Sequence, residues 1–540
     1  MSETTYKRRY KTLRGEQQMA KDKSSSRTSM KITTIDTSNQ DDSPTKSPVF
    51  VGSLHPASRL TRELPPEGYY KTYILTCAQN NTKLHELCWA NLLALAEHDQ
   101  AEILVSSFTY ATNSEASIGQ KRTVRKKTSR EPLVPIEVWD ERVVPYLQDS
   151  SIQLAPGLVW CGELQILPTA VNPISGLESY TGRDSCIIPH VKFAMQSVPT
   201  PKFSAAKHIY TTGTVTLRNY IQKKTGQKAA FHHGYGGLIV QVCGDGTWFV
   251  RQLWAGVDGV IYDLDRRVLK GQITYNHRPE ALVWGDIHTR YLEKIIRNLA
   301  WGSEGILDTL KPKRQFLHDV MHFLSQNHHD IKDPWKVYGK YVTSTTNVSD
   351  EFDECAALIE EASRPWCETV VVASNHDEAT IRWLKEVDYR TDPENAEFIL
   401  QVTTETYRAL RRQDAHFYPI EWAMRQRMKR AHRITFLRRD ESYVVCDDES
   451  GGIELGMHGD KGANGTRGNL RDFSRSGRKC IVADSHSPGI RDGAMQVGVM
   501  GSLDQDYNIG QSSWSHTNAL VYRNGKRTLF TISNAQWRAA

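Results

Sequence analysis

The sequence predicts an α/β protein in which a separate α/β or α+β N-terminal domain precedes a C-terminal α/β domain. Two observations favour this class. β-like runs alternate with helical runs from Tyr70 and again from Pro279, and 540 residues are too many for one compact core. We therefore predict an arm over residues 1–65, a domain over 66–278 and a second domain over 279–540, with a helical insertion at about 395–432.

The first 65 residues are polar, rich in Ser, Thr and Lys, and poor in large apolar side chains. Such a segment cannot bury enough surface to offset the entropy lost on ordering, so we predict a disordered basic arm. It lacks the apolar stretch of a secretory signal, and no run of eighteen apolar residues occurs, so no membrane span is expected. The nine cysteines lack paired spacing, which indicates reduced thiols and a cytoplasmic location.

The N-terminal domain is predicted to open with a strand, a helix and a second strand. The runs are "YKTYILTCA", "KLHELCWANLLALAEH" and "AEILVSSFTYA", and the middle run has the apolar spacing of an amphipathic helix. A basic insertion follows at residues 121–127, and short β-like runs separated by turn residues occupy residues 150–280. The adjacent His232 and His233 are compatible with metal or phosphate binding, but without a spaced partner a structural or surface role is favoured.

The C-terminal domain contains five β-like runs that end in Asp, His or Asn. The runs are "ALVWGDIHTR", "RQFLHDVMHF", "VVVASNHDE", "IELGMHGDKG" and "CIVADSHSPG". Any one of these endings is typical of an ordinary strand end. Because α/β folds place their sites in the loops after strand ends, five such endings in order predict a common site. The polar residues concerned are Asp286, His288, Asp319, Asn375, His376, His458, Asp460, Asp484 and His486.

This residue set suits a pair of divalent metal ions. Two ions about 3.5–4 Å apart need a bridging carboxylate and a mixed shell of imidazole and oxygen ligands. Such a pair lowers the pKa of a shared water and clamps the phosphate oxygens during in-line attack. A nearby imidazole can stabilise the developing charge or protonate the leaving oxygen. The pattern therefore favours phosphoester hydrolysis.

The order of these motifs resembles that of the calcineurin-like metallophosphoesterases, over residues 279 to about 505. "GDIH" and "SNHDE" are the specific matches. The resemblance implies a C-terminal β-sandwich flanked by helices and a site for two divalent ions, with Mn²⁺ expected and Mg²⁺ as the alternative. It also implies that Asp286, His288 and His486 bind the first metal and that Asp319 bridges the two.

The same resemblance implies that Asn375, His458 and Asp484 bind the second metal. It makes His376 the catalytic imidazole that contacts the phosphate, oriented by Asp377. Asp484, in "ADSHSP", stands where the family has a histidine. A carboxylate still binds a hard ion and favours Mn²⁺ or Mg²⁺ over softer metals. The alternative is a damaged second site, with one metal bound tightly.

Several features favour a polyanionic substrate. The Gly-rich residues 458–469 include Lys461 and Arg467, which we predict to hold a phosphate. The basic arm, the basic insertion and the Arg/Lys-rich residues 411–430 favour DNA, with Phe417, Tyr418 and Trp422 available for base stacking. The stretch "GQKAAFHHGYGGLIVQV" is similar to pre-early proteins of tailed bacteriophages linked to DNA transfer and host DNA degradation.

The sequence thus favours a two-metal phosphodiesterase that cuts DNA, phage-encoded and acting in the host cytoplasm. A phosphomonoesterase or nucleotide phosphodiesterase using the same site is the first alternative. A catalytically inactive phosphoesterase-like protein that binds DNA or another protein is the second. Homo-oligomerisation, and a protein partner bound through the N-terminal arm or domain, remain open.

Overall fold

A computed structural model of the chain describes residues 59–110, 138–327, 329–430, 433–447 and 451–539. Residues 56–540 belong to one compact unit. The predicted basic insertion and all but the last residues of the predicted arm lie outside the described ranges. Of those last residues, Leu60 and Thr61 form a short strand that pairs with a strand at residues 151–155.

The secondary structure is mixed throughout the described ranges. The strands before residue 275 are β1 (Leu60–Thr61), β2 (Tyr70–Gln79), β3 (Glu102–Phe108), β4 (Ser151–Ala155), β5 (Leu158–Cys161), β6 (Ser185–Ile188), β7 (Met195–Val198), β8 (Thr200–Pro201), β9 (Lys207–Thr211), β10 (Tyr235–Cys243), β11 (Trp248–Ala255), β12 (Ile261–Asp263), β13 (Arg266–Leu269) and β14 (Gln272–Thr274). The strands after residue 280 are β15 (Ala281–Val283), β16 (Arg314–His318), β17 (Glu368–Val372), β18 (Ile434–Leu437), β19 (Val444–Val445), β20 (Ile453–Glu454), β21 (Lys479–Val482), β22 (Gly489–Arg491), β23 (Ala494–Gln496), β24 (Gln511–Ser512), β25 (His516–Val521) and β26 (Arg527–Ile532).

Helices occur mainly in the C-terminal half. They are α1 (Glu86–His98), α2 (Lys224–Phe231), α3 (Lys294–Trp301), α4 (Ile306–Leu310), α5 (Pro334–Val342), α6 (Val348–Ala362), α7 (Asn375–Glu386), α8 (Ala396–Arg411), α9 (Pro419–Arg425) and α10 (Leu470–Phe473). Short 3₁₀-helices lie at Val144–Tyr146, Thr289–Tyr291 and Ala463–Gly465. None of the helices within these described ranges is long and apolar enough to cross a membrane.

Three of the sheets build the core. The largest has eleven strands in the order β1-β4-β5-β6-β9-β7-β22-β23-β21-β20-β19. A four-stranded sheet has the order β11-β10-β2-β3, and a six-stranded sheet has the order β18-β17-β16-β15-β25-β26. The predicted boundary at residues 278 and 279 runs through this arrangement, because the eleven-stranded sheet contains strands from both sides of it.

The four- and six-stranded sheets face the eleven-stranded sheet across one hydrophobic core. Leu238, Val370 and Ile490, one from each sheet, are buried in the same cluster of side chains. The four-stranded and six-stranded sheets meet at β11 and β26, where the Gln252 N–H donates to Thr528 Oγ1 at 2.9 Å. The result is a β-sandwich, and the mixed α/β class predicted from the sequence is confirmed.

Helices cover the outer face of the six-stranded sheet. Val370 and Val372 point into the sandwich, whereas Val371 packs against the cluster formed with the helices. Strand β17 is therefore buried on both faces, which explains its uninterrupted valine run. On the four-stranded sheet, α1 packs in the same way over Ile74 and Ile239.

Parallel pairing brings the polar strand ends together. β15, β16, β17 and β18 pair in parallel, so their carboxyl ends lie at one edge of the six-stranded sheet. β20 and β21 of the opposite sheet also pair in parallel. The backbones approach closely at Gly285, where a Cβ would lie 2.7 Å from the Gly498 carbonyl carbon. Glycine is required there because no side chain fits between the two segments.

A buried ion pair joins β11 to β12 in the N-terminal half, away from the sheet edge where the polar strand ends meet. Arg251 and Asp263 are each 1% exposed, and the Arg251 Nε–H donates to Asp263 Oδ1 at 2.6 Å. Burial alone would raise the pKa of Asp263, but the Arg251 and Arg266 guanidinium groups outweigh burial and hold that pKa well below its usual range.

Replacing Asp263 with asparagine is expected to destabilise the fold by about 3–5 kcal/mol, because it leaves the Arg251 charge buried without a counter-ion. The stabilisation from the ionised carboxylate is present above the ordinary Asp pKa and is lost as the pH falls below it. Urea unfolding at pH 7 and at pH 3–4 should show a large gap between wild type and variant at the higher pH and a smaller gap at the lower. Equal gaps at both pH values would contradict this account.

Candidate metal centre

Three side chains from two loops form the first group of ligand atoms. Asp286 and His288 follow β15, and His486 follows β21. His486 Nε2 lies 3.1 Å from Asp286 Oδ2 and 3.0 Å from His288 Nε2. All three residues are buried. Their ligand atoms converge as the resemblance predicted for the first metal.

A second group surrounds His458, which follows β20. His458 Nε2 lies 3.1 Å from Asn375 Oδ1 and 3.9 Å from Asp484 Oδ1. Asn375 is the first residue of α7, and Asp484 follows β21. The predicted second set of ligands is thus brought together, with Asp484 among them.

Asp319 lies between the two groups. Its Oδ2 atom is 3.7 Å from His288 Nε2 in the first group and 3.6 Å from His458 Nε2 in the second. It is also 3.5 Å from His376 Nε2. A single carboxylate oxygen therefore reaches both groups, which is the geometry that a bridging ligand needs.

The backbone of these loops is strained. His288, Asp319, Asp484 and His486 have φ values of 46°, 47°, 69° and 59°. Left-handed backbone at non-glycine residues costs about 1–3 kcal/mol each and clusters at functional sites. The loops therefore hold conformations that their residues do not favour, and these conformations aim the side chains inward.

Several buried polar atoms of the centre lack a hydrogen-bond partner among the described residues. They include both carboxylate oxygens of Asp286, Oδ1 of Asp319, Nδ1 of His458, Nδ1 of His486 and both ring nitrogens of His318. Buried polar atoms are normally satisfied, since each lost hydrogen bond costs about 1–3 kcal/mol. Carboxylate and imidazole donors of this kind fit divalent cations such as Mn²⁺ or Mg²⁺.

Electrostatics also favour a cation here. Burial, together with the neighbouring Asp286, raises the pKa of Asp319 well above its usual value. Burial and the charges of Asp286 and Asp460 raise the pKa of Asp484 to about 7. Burial lowers the pKa of His288 and His458, which leaves their imidazoles neutral. Crowded carboxylates and neutral imidazoles are the forms that bind metal ions.

The Asp377 carboxylate has a contact other than the predicted one with His376. The Asp377 carboxylate accepts a hydrogen bond from the Ser374 backbone N–H at 3.0 Å, and Ser374 caps the same helix in return. His376 Nδ1–H instead donates to the His322 carbonyl at 2.5 Å. The carboxylate is therefore used to begin α7, and a backbone carbonyl holds the His376 ring.

Replacing Asp377 with asparagine is expected to change the rate of the phosphoester hydrolysis predicted from the sequence by less than about threefold. The amide oxygen can still cap α7, and removing this carboxylate removes a group whose pKa burial has raised to about 6. Steady-state rates at saturating metal provide the measurement. If Asp377 oriented His376, the loss would resemble the roughly 10⁴-fold loss seen when the orienting carboxylate of a catalytic triad is neutralised.

The predicted phosphate-binding residues lie beside the centre, on the surface. Lys461 and Arg467 face each other across a small antiparallel bridge and are exposed. The Arg467 charge lowers the pKa of Asp484, whereas Lys461 Nζ lies 3.9 Å from Glu378 Oε2. Neither side chain belongs to the buried cluster.

Two histidines and an arginine of the centre were not among the residues predicted from the sequence. His318 is fully buried and stacks on His458 at a centroid distance of 5.7 Å. His322 Nδ1 lies 3.0 Å from His288 Nδ1. The signal was present, because "LHDVMH" places these histidines one residue before and three residues after Asp319.

Arg439 joins the two segments that carry Asn375 and His458. Its guanidinium donates to both oxygens of Asp460, at 2.9 and 2.7 Å, and its Nε lies 3.0 Å from Glu378. Glu378 lies on α7 and Asp460 two residues after His458. The ion pairs therefore fix the helix that carries His376 against the loop that carries His458.

An aromatic wall lies against one side of the centre. Trp514 packs edge-on against His486 at a centroid distance of 4.2 Å, and Tyr507 packs against Trp514 at 5.6 Å. Tyr507 also stacks near His322 at 6.1 Å. These rings limit water access to the first group of ligands on that side.

Several side chains of residues 411–430, which were predicted to contact DNA, instead contact other residues of the protein. Arg425 pairs with Glu421 at 2.7 Å, and Arg427 pairs with Asp353 at 2.8 Å. Tyr418 and Trp422 pack against the helical core. His233, from the earlier histidine pair, is buried with Nδ1 2.6 Å from the Tyr220 hydroxyl, in agreement with the structural role favoured from the sequence.

Comparison with known proteins shows one strong similarity. Protein A1 of Escherichia phage T5 is 34% identical over 480 residues, which cover 87% of this chain and 83% of that protein. No protein-family model and no solved structure matches the chain, so membership of the metallophosphoesterases stays a prediction. The similarity supports the predicted bacteriophage origin. On its extent, the chain belongs to the family of Protein A1 of Escherichia phage T5.

Proposed function

We propose that the chain is a metal-dependent phosphodiesterase that cuts DNA. The observation that carries the proposal is the position of Asp319 Oδ2, within 3.5–3.7 Å of His288, His376 and His458. Asp286, His288 and His486 would hold one divalent ion, and Asn375, His458 and Asp484 the other. When bound, the ions supply Lewis-acid stabilisation of the phosphate and lower the pKa of water.

The proposed role of His376 follows from its hydrogen bond. The His322 carbonyl accepts the Nδ1 proton, so the ring gains and loses its second proton at Nε2. Nε2 is the atom that faces Asp319 and the centre. A protonated His376 would stabilise negative charge on a phosphate oxygen or donate its proton to the leaving oxygen.

Two findings support DNA as the substrate and the host cytoplasm as the place of action. The surface next to the second group of ligands carries exposed cations, beginning with Lys461 and Arg467. The chain also belongs to a bacteriophage protein family. A phage infects a cell whose genome is a polyanion, and cations beside a phosphoesterase site suit such a substrate.

The test is incubation of the purified chain with plasmid DNA, bis(p-nitrophenyl) phosphate and p-nitrophenyl phosphate. We expect DNA cutting and diester hydrolysis that require Mn²⁺ or Mg²⁺, stop with EDTA and return on adding metal. Turnover of the monoester with intact DNA would favour a phosphomonoesterase instead. Retention of DNA on a gel without any turnover would favour an inactive binding protein.

Counting bound metals separates a complete centre from a damaged one. Elemental analysis after dialysis against Mn²⁺ is expected to give two ions per chain, and one in Asp484→Ala. A single ion in the unmodified chain would show that Asp484 does not replace the family's histidine. Asp492→Ala, whose carboxylate pairs with His232 away from the centre, provides the control.

A further inference from the structure

A basic surface loop lies in the chain between His458 and Asp484, two members of the second group of ligand atoms. We call residues 461–478 the basic strap. It begins three residues after His458 and ends six residues before Asp484, and it includes α10. The first end therefore starts beside the candidate metal centre, and the second end leads back to it along β21.

The strap carries an excess of positive charge that the fold does not neutralise. It contains five cations and one acidic residue, Asp472, which lies 3.9 Å from Arg475. The other cations are Lys461, Arg467, Arg471 and Arg478, and all five are exposed. Within the described ranges, no ion pair with a carboxylate is formed by Arg467, Arg471 or Arg478.

The strap is anchored, so the backbone that carries its cations is held in place. Phe473 is buried in a small cluster with Cys480 and Val482. The Gly468 N–H donates to the Asp460 carbonyl at 2.8 Å, and Arg439 holds the Asp460 carboxylate. Ordered cations lose less conformational entropy when they bind a ligand than cations on a free loop do.

The strap is much longer than a single phosphate group. The Arg467 charge acts on Asp484 at one end, whereas Arg478 precedes β21, six residues before Asp484. Residues 479–482 of that segment form the extended strand β21, and at about 3.3 Å per residue the strand places Arg478 about 13 Å from Val482, which corresponds to roughly four base pairs of duplex rise. A mononucleotide or a small diester at the centre could not reach Arg478.

We infer that the basic strap binds the phosphate backbone of DNA on one side of the bond that is cut, which makes a polynucleotide the preferred substrate. This inference rests on the proposed function for its orientation toward the centre. Uncompensated cations spaced along a surface bind phosphates without reading sequence. An acidic protein surface is the competing occupant.

The inference is tested by DNA binding without metal, so that no cutting occurs. The intact chain in EDTA would be titrated against a fluorescein-labelled 20-base-pair duplex by fluorescence anisotropy at several NaCl concentrations. In Arg471→Ala/Arg478→Ala the slope of log K against log salt is expected to fall in magnitude by about two, since each phosphate contact contributes about 0.9. Arg471→Lys/Arg478→Lys should keep most of the slope.

Lys270→Ala is the control. Lys270 is exposed in the turn between β13 and β14, on a small sheet that packs against α1 and not against β21. Its slope should equal that of the unmodified chain. A slope unchanged in the strap variant, or an equal loss in the control, would overturn the inference.

The outcomes also separate this inference from the proposed function. If the strap variant loses DNA affinity while the unmodified chain hydrolyses no diester, the proposed function fails and the strap remains a DNA-binding surface. If diester hydrolysis is present but the strap variant binds DNA normally, the inference fails alone. Preserved DNA binding with lost binding to polyglutamate would identify an acidic protein partner and would also overturn it.

Discussion

Asp319→Asn is expected to lower phosphodiester hydrolysis by at least about 10³-fold and to reduce the bound metal to one ion or none. The reason is that Asp319 Oδ2 reaches ligand atoms of both groups, so its loss weakens both sites together. Cutting of plasmid DNA, diester turnover and elemental analysis of the same preparation measure the two effects.

The thermal stability of Asp319→Asn in EDTA distinguishes lost metal binding from misfolding. Burial raises the pKa of Asp319 well above its usual value, so the ionised carboxylate opposes folding when no metal is present. The metal-free variant should therefore unfold at the same temperature as the metal-free wild type, or higher. A variant that keeps two metals and its activity would rule out a bridging role.

His376→Ala is expected to lower the rate by about 10²–10⁴-fold while both metals remain bound. His376 Nε2 lies 3.5 Å from Asp319 Oδ2, but the resemblance makes this imidazole a contact of the phosphate and no metal ligand. Rates on DNA and on bis(p-nitrophenyl) phosphate, together with metal content, provide the measurement.

The control for His376→Ala is His416→Ala, an exposed histidine between α8 and α9. It should leave both rate and metal content unchanged. A loss of one metal in His376→Ala would show that this imidazole coordinates an ion. An unaffected rate would exclude it from the reaction.

Much of the fold could be predicted from local pattern. Helix α1 lies within the predicted amphipathic run, and β17 coincides with the valine run, because burial on one or two faces determines periodicity directly. The eleven-stranded sheet could not be predicted, because pairing of β7 with β22 joins residues almost three hundred positions apart. Nothing in either local segment indicates its distant partner.

More of the candidate site than of the surrounding fold could be predicted from the sequence. Parallel strands place Asp286, Asp319 and Asn375 at one edge by topology alone, so their order in the sequence was sufficient. The capping contact of Asp377 was not predicted, because a helix cap and an orienting carboxylate occupy the same place in the motif. The contact between His322 and His288 depends on the loop after β16, whose shape the sequence does not specify.

Pairing of β22 with β7 has a consequence for genetic recombination between related proteins. Ile490, four residues after the candidate ligand His486, pairs with Met195 of the N-terminal half. A C-terminal fragment would expose this sheet edge and the apolar face of the sandwich, a combination that promotes aggregation. The candidate metal centre therefore cannot be transferred to another protein as an independent unit. Recombination between phage genomes would conserve it only when both halves are exchanged together.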